Sequence, residues 1–208
     1  MFFKKYFFVF IIMLAGIVSW NSYINLEESS AAKALSSSAI RFHVLANSDS
    51  SADQQIKMKV KENVVSYIYQ NTDDFDNVEE TKRFIIRNDK KIKRIALNTL
   101  EENGAAYSVT SNFGKTDFPE KYYGDVVFPK GTYTSYTLSL GRGKGHNWWC
   151  VLYPPLCFTD ASTGIVPDSS KERLQDSLTE KEYNSIIRYR FRSVSYTHLR
   201  AHETELHL

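Results

Sequence analysis

The sequence has little cysteine, little proline and no large excess of charge of either sign. The few cysteines and the near-neutral charge each argue against a class of binding site. Its 208 residues include only two cysteines and five prolines. A zinc finger would need further ligands at finger-like spacing beside these two cysteines. A formal net charge of +2 gives no reason to expect nucleic acid or an acidic substrate as a partner. No internal repeat is present.

The chain also lacks an apolar run of comfortable transmembrane length. Lys4 and Lys5 precede an uncharged apolar stretch at residues 6–20. This stretch is shorter than the ~20 residues that span a bilayer, but a basic start followed by such a run is typical of an export signal. We therefore expect residues 1–26 to be a signal peptide or an N-terminal membrane anchor, with the rest of the chain outside the cytoplasm. The alternative is a buried N-terminal helix of a cytosolic protein.

The remaining chain divides into a short polar segment and one domain. Residues 27–39 are rich in serine and alanine and are predicted to form a linker. The domain is predicted over residues 40–193, and about 155 residues suffice for one hydrophobic core. Its predicted fold class is α+β, with helices packed on one side of a mostly antiparallel sheet.

Hydrophobic spacing predicts the first strand and two helices. Residues 40–46 form a strand-length apolar run. Ser51 and Gln54 have the spacing of a capping box that opens the first helix. A second helix is predicted from near Asn77 to a stop at Gly104, with residues 88–89 as a candidate break.

Strand-like alternation resumes after the second helix, and the glycine-rich loop Gly141–Gly145 separates two of the predicted strands. We interpret this loop as a hairpin connection whose glycines supply positive φ angles. It is not a phosphate-binding loop, because Lys144 is followed by Gly145 and a strand-like aromatic run. A P-loop requires serine or threonine and then a helix at that point.

The densest feature of the sequence is the segment Asn147–Phe158, which holds both cysteines, two tryptophans and two prolines. Export to an oxidising compartment permits a disulfide between Cys150 and Cys157. Such a bridge would contribute roughly 2–3 kcal/mol to stability. Metal binding and a nucleophilic cysteine remain alternatives, with His146 as the nearby candidate base.

The titratable residues offer no convincing catalytic set. His43 lies in the first strand, where a half-buried histidine is expected. Asp49 and Asp53 flank a turn and a helix start, where capping explains both. His146 lies in the glycine-rich loop, and no spacing brings these groups within reach of one substrate atom, as acid–base catalysis requires. We predict no catalytic, cofactor-binding or metal-binding residue.

The C-terminal histidines are set aside for a different reason. His198 and His202 have the spacing of two metal ligands on one helix face. However, residues 194–204 resemble one reading frame of a transposase-type sequencing adaptor. Residues 194–208 are therefore interpreted as an artefact, and no metal site is predicted from them.

Three stretches of the sequence together resemble the stage II sporulation protein R family. They are residues 40–50 with Asp53, Gln54, Lys57, Val60 and Lys61 after them, residues 118–133, and residues 141–158. The resemblance covers residues 40 to about 192. Arg142 departs from the pattern, since the family more often has a small or acidic residue near it. The last strand of the family begins at residues 188–192 and is cut off by the adaptor-like tail.

The resemblance implies a signalling role. Proteins of this family are exported from the forespore into the space between the two septal membranes. There they trigger a membrane-embedded aspartic protease of the mother cell, which cleaves the pro-sequence from the precursor of the early mother-cell sigma factor. On this reading the protein is a ligand without chemistry or cofactor, and its N-terminal segment can associate with membrane.

We hypothesise that the partner-binding surface is the aromatic segment that the disulfide closes. A bridge between the cysteines would order the segment in advance and reduce the entropy lost on binding, and large aromatic side chains dominate interface hot spots. The hypothesis names Trp148, Trp149, Tyr153, Pro154 and Pro155. Two other classes remain, a septal peptidoglycan-binding module and a peptidoglycan hydrolase that uses His43, Asp49 or His146.

Overall fold

The computed structural model describes residues 2–157 and 166–187. The last strand expected at residues 188–192 and the adaptor-like tail at residues 194–208 lie outside the described residues. The helices and strands are α1 (Phe2–Ser38), β1 (Ile40–Leu45), α2 (Ser51–Gln70), α3 (Val78–Glu102), β2 (Val109–Phe118), β3 (Lys121–Tyr123), β4 (Val126–Phe128), β5 (Gly131–Leu140), β6 (Asn147–Tyr153) and α4 (Asp168–Ser177). Residues 180–187 are also helical.

The main sheet has four strands in the order β2-β5-β1-β6, and β3 and β4 form a separate pair. Strand β1 lies parallel to β5 and antiparallel to β6, and β2 lies antiparallel to β5. The predicted α+β class is confirmed. The sheet is mixed, with two antiparallel pairings and one parallel pairing.

The prediction of a hairpin at Gly141–Gly145 is wrong. This loop leads from β5 to β6, but β1 lies between those two strands. The reason is the composition of β1, in which Ile40, Phe42 and Val44 are all fully buried. A strand with this much apolar surface is most stable at the centre of a sheet.

The segment predicted as a polar linker is helical. Helix α1 continues through residues 27–38, and its end packs against β5. Leu35 and Ala39 are fully buried. Alanine, leucine, glutamate and lysine all favour helix, and Leu35 supplies an apolar side chain for the core. No helix among the residues that the structure describes is long and apolar enough to cross a membrane.

Helix α2 is capped one residue earlier than predicted. The Ser50 hydroxyl, not that of Ser51, accepts a hydrogen bond from the backbone N–H of Asp53 at 3.2 Å. Gln54 does not close a capping box, because its amide donates to the carbonyl of Ser48 at 3.0 Å. The turn before α2 therefore binds the Gln54 side chain, which a capping box would need.

Helix α3 begins and ends close to the prediction but has no break. Asn77 caps its start by accepting from the N–H of Glu80, and Gly104, at φ 72°, follows its end. Asn88 stays in the helix because its amide donates to the Phe84 carbonyl at 2.9 Å. The side chain of Asp89 accepts hydrogen bonds from two sheet hydroxyls, so this residue joins α3 to the sheet.

Candidate interaction site

Strand β6 presents two tryptophans at one edge of the main sheet. Trp148 pairs with Val44 and Trp149 pairs with His43 across the antiparallel β1–β6 ladder. Because successive side chains of a strand point to opposite faces, the two indoles lie on different faces of the sheet. Both are half-buried, so each combines fixed packing with surface that a partner can reach.

Trp149 lies in an aromatic stack on the face away from α2 and α3. Its ring is stacked on the imidazole of His43, with centroids 3.7 Å apart and planes 15° from parallel. The ring of Phe118 meets it edge-on at 4.7 Å. Both are favourable arrangements of aromatic rings, and together they hold Trp149 in one orientation before any partner binds.

Trp148 lies on the helix-bearing face of the sheet. The ring of Phe42 approaches it edge-on at 6.4 Å. The ammonium of Lys61 from α2 lies 5.0 Å from its ring centroid, a cation–π distance. The packing of Trp148 therefore connects the edge strand to α2.

A buried arginine lies close to the Trp149 stack. Arg41 is 0% exposed, and its guanidinium lies over four aromatic rings at centroid distances of 4.3 to 5.8 Å, those of Phe118, Tyr123, Phe128 and Tyr133. Its Nη2 donates to the Tyr123 hydroxyl at 3.3 Å. Within the described ranges its Nε and Nη1 have no hydrogen-bond partner. Burial accordingly lowers the pKa of Arg41, and the ring faces take the place of a carboxylate.

His43 is enclosed more fully than the sequence suggests. It is 5% exposed, and neither ring nitrogen has a hydrogen-bond partner of normal geometry among the described residues. Burial lowers the pKa of His43 to about 4, and an interaction with the Asn147 side chain opposes this to a smaller extent. The imidazole is therefore neutral at neutral pH, and Trp149 covers it.

The cysteines are joined by a disulfide, with Cα atoms 4.9 Å apart. The turn that it closes is also tied by hydrogen bonds. The N–H of Leu156 donates to the Val151 carbonyl at 3.0 Å, and the N–H of Cys157 donates to the Tyr69 hydroxyl at 2.9 Å. Because Tyr69 belongs to α2, the turn is fixed to the body of the domain.

Two of the five predicted contact residues are buried in this turn. Tyr153 is 4% exposed and its hydroxyl donates to the carbonyl of Asp76 at 2.8 Å. Pro154 is buried and Pro155 is half-buried. Tyr153 and Pro154 therefore complete the core beneath the turn, and the surface hypothesis is corrected to exclude them.

A polar cluster holds the loops at the C-terminal end of β1. The carboxylate of Asp53 accepts from the side chains of Asn47 at 2.9 Å, Ser48 at 2.5 Å and Tyr107 at 2.9 Å. These bonds, that of Ser48 most of all, lower the pKa of Asp53. Gly145 approaches so closely that an added Cβ would lie 2.2 Å from the Ser48 carbonyl oxygen. The polar residues that follow β1 therefore have a structural role.

The residues considered for hydrolysis are only partly brought together. The N–H and Nδ1 of His146 both lie 2.5 Å from Oδ1 of Asp49, on an exposed surface. The backbone bond from His146 is the main reason that the pKa of Asp49 is lowered. His43 is enclosed beneath Trp149 and has no hydrogen bond to either residue. Where the structure describes the chain, no group of three metal-ligand side chains occurs.

Sequence reasoning missed the aromatic surroundings of Arg41 and the contact of Phe118 with Trp149. A charged residue inside the apolar run of β1 was the available signal for a buried cation. Its partners come from β2 to β5, which local patterns do not bring together. Trp148 and Trp149 therefore keep exposed surface on opposite faces of the sheet, and buried aromatic rings brace Trp149.

These features define an α+β domain with a disulfide-braced aromatic edge strand. The family model of stage II sporulation protein R matches residues 36–163. Over 149 residues the chain is 41% identical to stage II sporulation protein R of Bacillus subtilis (strain 168), covering 72% of this chain and 65% of that protein. The chain belongs to the stage II sporulation protein R family, and its match spans just under two thirds of that relative's length. No solved structure matches it.

Proposed function

We propose that the protein acts in sporulation as an exported signalling ligand. It activates a membrane-embedded aspartic protease of the mother cell, and that protease processes the precursor of the early mother-cell sigma factor. Membership of the stage II sporulation protein R family supports this role, with a family match that includes the whole main sheet, Trp148 and Trp149. The proposal assigns the protein no catalytic residue and no cofactor.

The observation that carries the proposed contact surface is the position of Trp149. It is half-exposed on an edge strand and braced by His43 and Phe118. A side chain held in place before binding loses less entropy when the partner docks. Tryptophan is also among the residues most enriched in interface hot spots. The other hypothesised contact residues that keep exposed surface are Trp148, on the opposite face of β6, and Pro155, in the turn after it.

Activation requires more than contact. A ligand shifts an equilibrium only by the difference in its affinity for two states of its partner. We infer that the Trp149 surface binds the active form of the protease more tightly than the inactive form. Loss of the indole should therefore lower activation even where some binding to the protease persists.

Export remains part of the proposal and rests on the first segment of the chain. Large apolar side chains of α1 are exposed, and they are Phe7, Phe10, Ile11, Ile12, Met13, Leu14, Ile17, Val18 and Trp20. Exposed apolar side chains in this number suit a segment read by an export system. The compartment proposed is the space between the forespore and mother-cell membranes, where oxidising conditions permit the disulfide.

The test of this function is proteolysis in a host that does not sporulate. The chain, the protease and the sigma-factor precursor are expressed together, and the size of the precursor is followed on a blot. We expect the shorter product only when the chain is present and exported. Product formation that is independent of the chain would contradict the proposal.

The pairing of Asp49 with His146 favours one other function, hydrolysis of peptidoglycan. The double variant D49N/H146Q removes both groups while leaving the Trp149 surface in place. A ligand should keep full activity in the proteolysis assay with this variant. A hydrolase should lose the release of soluble fragments from purified peptidoglycan. Sedimentation of the unchanged chain with peptidoglycan tests the remaining alternative, a wall-binding module.

A further inference from the structure

Helix α3 carries a line of positive charge on its outer face. Arg83, Arg87, Lys90 and Arg94 follow one another at intervals of four, three and four residues, and all four are exposed. Such spacing places side chains along one line of a helix. The line is roughly 16 Å long at a rise of ~1.5 Å per residue. We call these four residues the α3 basic stripe.

The stripe lies directly opposite the side of α3 that packs into the core. Ile85, Ile92 and Ala96 are fully buried on that inner side. The stripe therefore makes no contribution to the apolar core. Among the described residues, none of its four side chains has an ion pair or a hydrogen bond to a carboxylate. Exposed cations without partners are available to an external anion.

The charge is concentrated here and does not reflect the overall composition. Residues 81–100 contain seven lysines and arginines and one acidic residue, whereas the whole chain has a net charge of only +2. The one acidic residue, Asp89, turns toward the sheet, where it accepts from Ser111 and Tyr136 and pairs with Lys93 at 3.0 Å. The remaining glutamates of α3 lie in its first and last turns. The middle of the outer face is therefore purely positive.

We propose that the α3 basic stripe docks on the surface of an anionic phospholipid bilayer. A convex helix touches a plane along its whole length, so all four side chains can reach headgroup phosphates together, whereas a peptide ligand needs a groove. Ile86 lies beside the stripe with 51% of its surface exposed. An apolar side chain at the edge of a basic helix face can enter the boundary between headgroups and acyl chains. This docking does not depend on activation of the protease.

The test compares full-length protein on two kinds of vesicle, phosphatidylcholine alone and an equimolar mixture of phosphatidylcholine and phosphatidylglycerol. The exposed apolar residues of α1 can bind both, so the relevant quantity is the additional binding that phosphatidylglycerol produces. Each cation near an anionic bilayer raises partitioning roughly fivefold. In R83Q/R87Q/K90Q/R94Q we expect this additional binding to fall roughly 600-fold, with circular dichroism unchanged. Salt should weaken binding of the unchanged protein to the same vesicles.

A charge-matched control separates the stripe from net charge. K115Q/K130Q/R142Q/K144Q removes four exposed cations outside α3 and should keep nearly all of the additional binding. Equal loss in both quadruple variants would overturn the proposal, since net charge alone would then explain binding. Full retention in the stripe variant would also overturn it. So would stripe-dependent binding to polyglutamate without stripe-dependent binding to vesicles, which would assign the stripe to an acidic protein.

Discussion

Trp149 is stacked on His43, with ring centroids 3.7 Å apart and planes 15° from parallel. The two residues are direct partners in the ladder between β6 and β1. One face of the indole thus covers a buried imidazole, while the residue remains half-exposed to solvent. Trp149 consequently both forms the proposed contact surface and buries His43. A substitution of Trp149 should therefore affect signalling and stability together.

Replacing Trp149 with alanine should abolish most of the signal and also cost stability. The change removes the proposed contact and uncovers His43 and Phe118, so we expect the free energy of unfolding to fall by roughly 2–3 kcal/mol. W149F retains a ring that can stack and should recover most of that stability. Urea denaturation measures the loss of stability, and precursor processing measures the loss of signal.

The matched control for this prediction is Trp148 on the opposite face of the same strand. W148A loses contacts with Phe42 and Lys61 but leaves the His43 stack intact. If both alanine variants fold and signal like the unchanged protein, the edge strand is not the contact surface. If W149F folds well yet signals as poorly as W149A, the indole itself makes the contact.

The buried His43 should make the domain less stable as the pH falls from about 6.5 to about 4. Its pKa is lowered to about 4 in the folded state, compared with 6.5 in its ordinary environment. Between these values the unfolded chain binds a proton that the folded protein does not bind, so a lower pH favours unfolding. The full effect is at most ~3 kcal/mol and levels off below pH 4. Urea denaturation at several pH values measures it.

Two variants show whether this pH dependence belongs to His43. H43Q removes the titrating group, and its stability should change much less between pH 6.5 and 4.5. H146Q removes an exposed histidine and should leave the slope in place. A slope that survives H43Q would show that the enclosed imidazole is not its source.

Local patterns predicted α2 and α3 better than they predicted the sheet. The Asn77 cap and the stop at Gly104 depend on hydrogen bonds and φ angles within a few residues, and both are found. The pairing of β1 with β5 joins residues about ninety positions apart, such as Phe42 and Tyr136. No local pattern specifies that pairing, and local patterns therefore predict a hairpin at Gly141–Gly145.

The disulfide should stabilise the domain without being the contact surface itself. Replacing Cys150 and Cys157 with serine should lower the free energy of unfolding by roughly 2–3 kcal/mol. A reducing agent should lower the stability of the unchanged protein by a similar amount and leave the double variant unaffected. Urea curves with and without reductant measure both. An equal response of the two proteins to reductant would show that the bridge is not responsible.

Asp53 should contribute more to stability than the neighbouring Asp49. Its carboxylate accepts from Asn47, Ser48 and Tyr107, so D53A leaves three donors without their acceptor. Hydrogen bonds to a charged acceptor are each worth roughly 1.5–3 kcal/mol, and we expect a net loss of about 2 kcal/mol. D49A removes two exposed hydrogen bonds from His146 and should change stability little. Thermal unfolding of the two variants compares them, and equal melting temperatures would contradict the assignment.

The proposed contact surface was only partly predictable from the sequence. The clustering of tryptophans and cysteines marks Asn147–Phe158 as unusual, and the disulfide pair follows from the cysteine count. Burial of Tyr153 and Pro154 depends on tertiary contacts such as the hydrogen bond to the Asp76 carbonyl. The bracing of Trp149 by Phe118 joins β6 to β2, strands that are not neighbours in the sheet. Composition therefore identifies the segment, while the fold selects the residues that remain exposed.

The most direct test of the central claim is precursor processing in a non-sporulating host, with the amount of exported ligand varied. The protease and sigma-factor precursor are held constant, and the unchanged chain is compared with W149A, W149F and D49N/H146Q at matched exported levels. We expect processing to rise with the unchanged chain and with D49N/H146Q, partly with W149F, and scarcely with W149A. Processing that does not respond to the unchanged chain, with all three proteins folded and present, would contradict it.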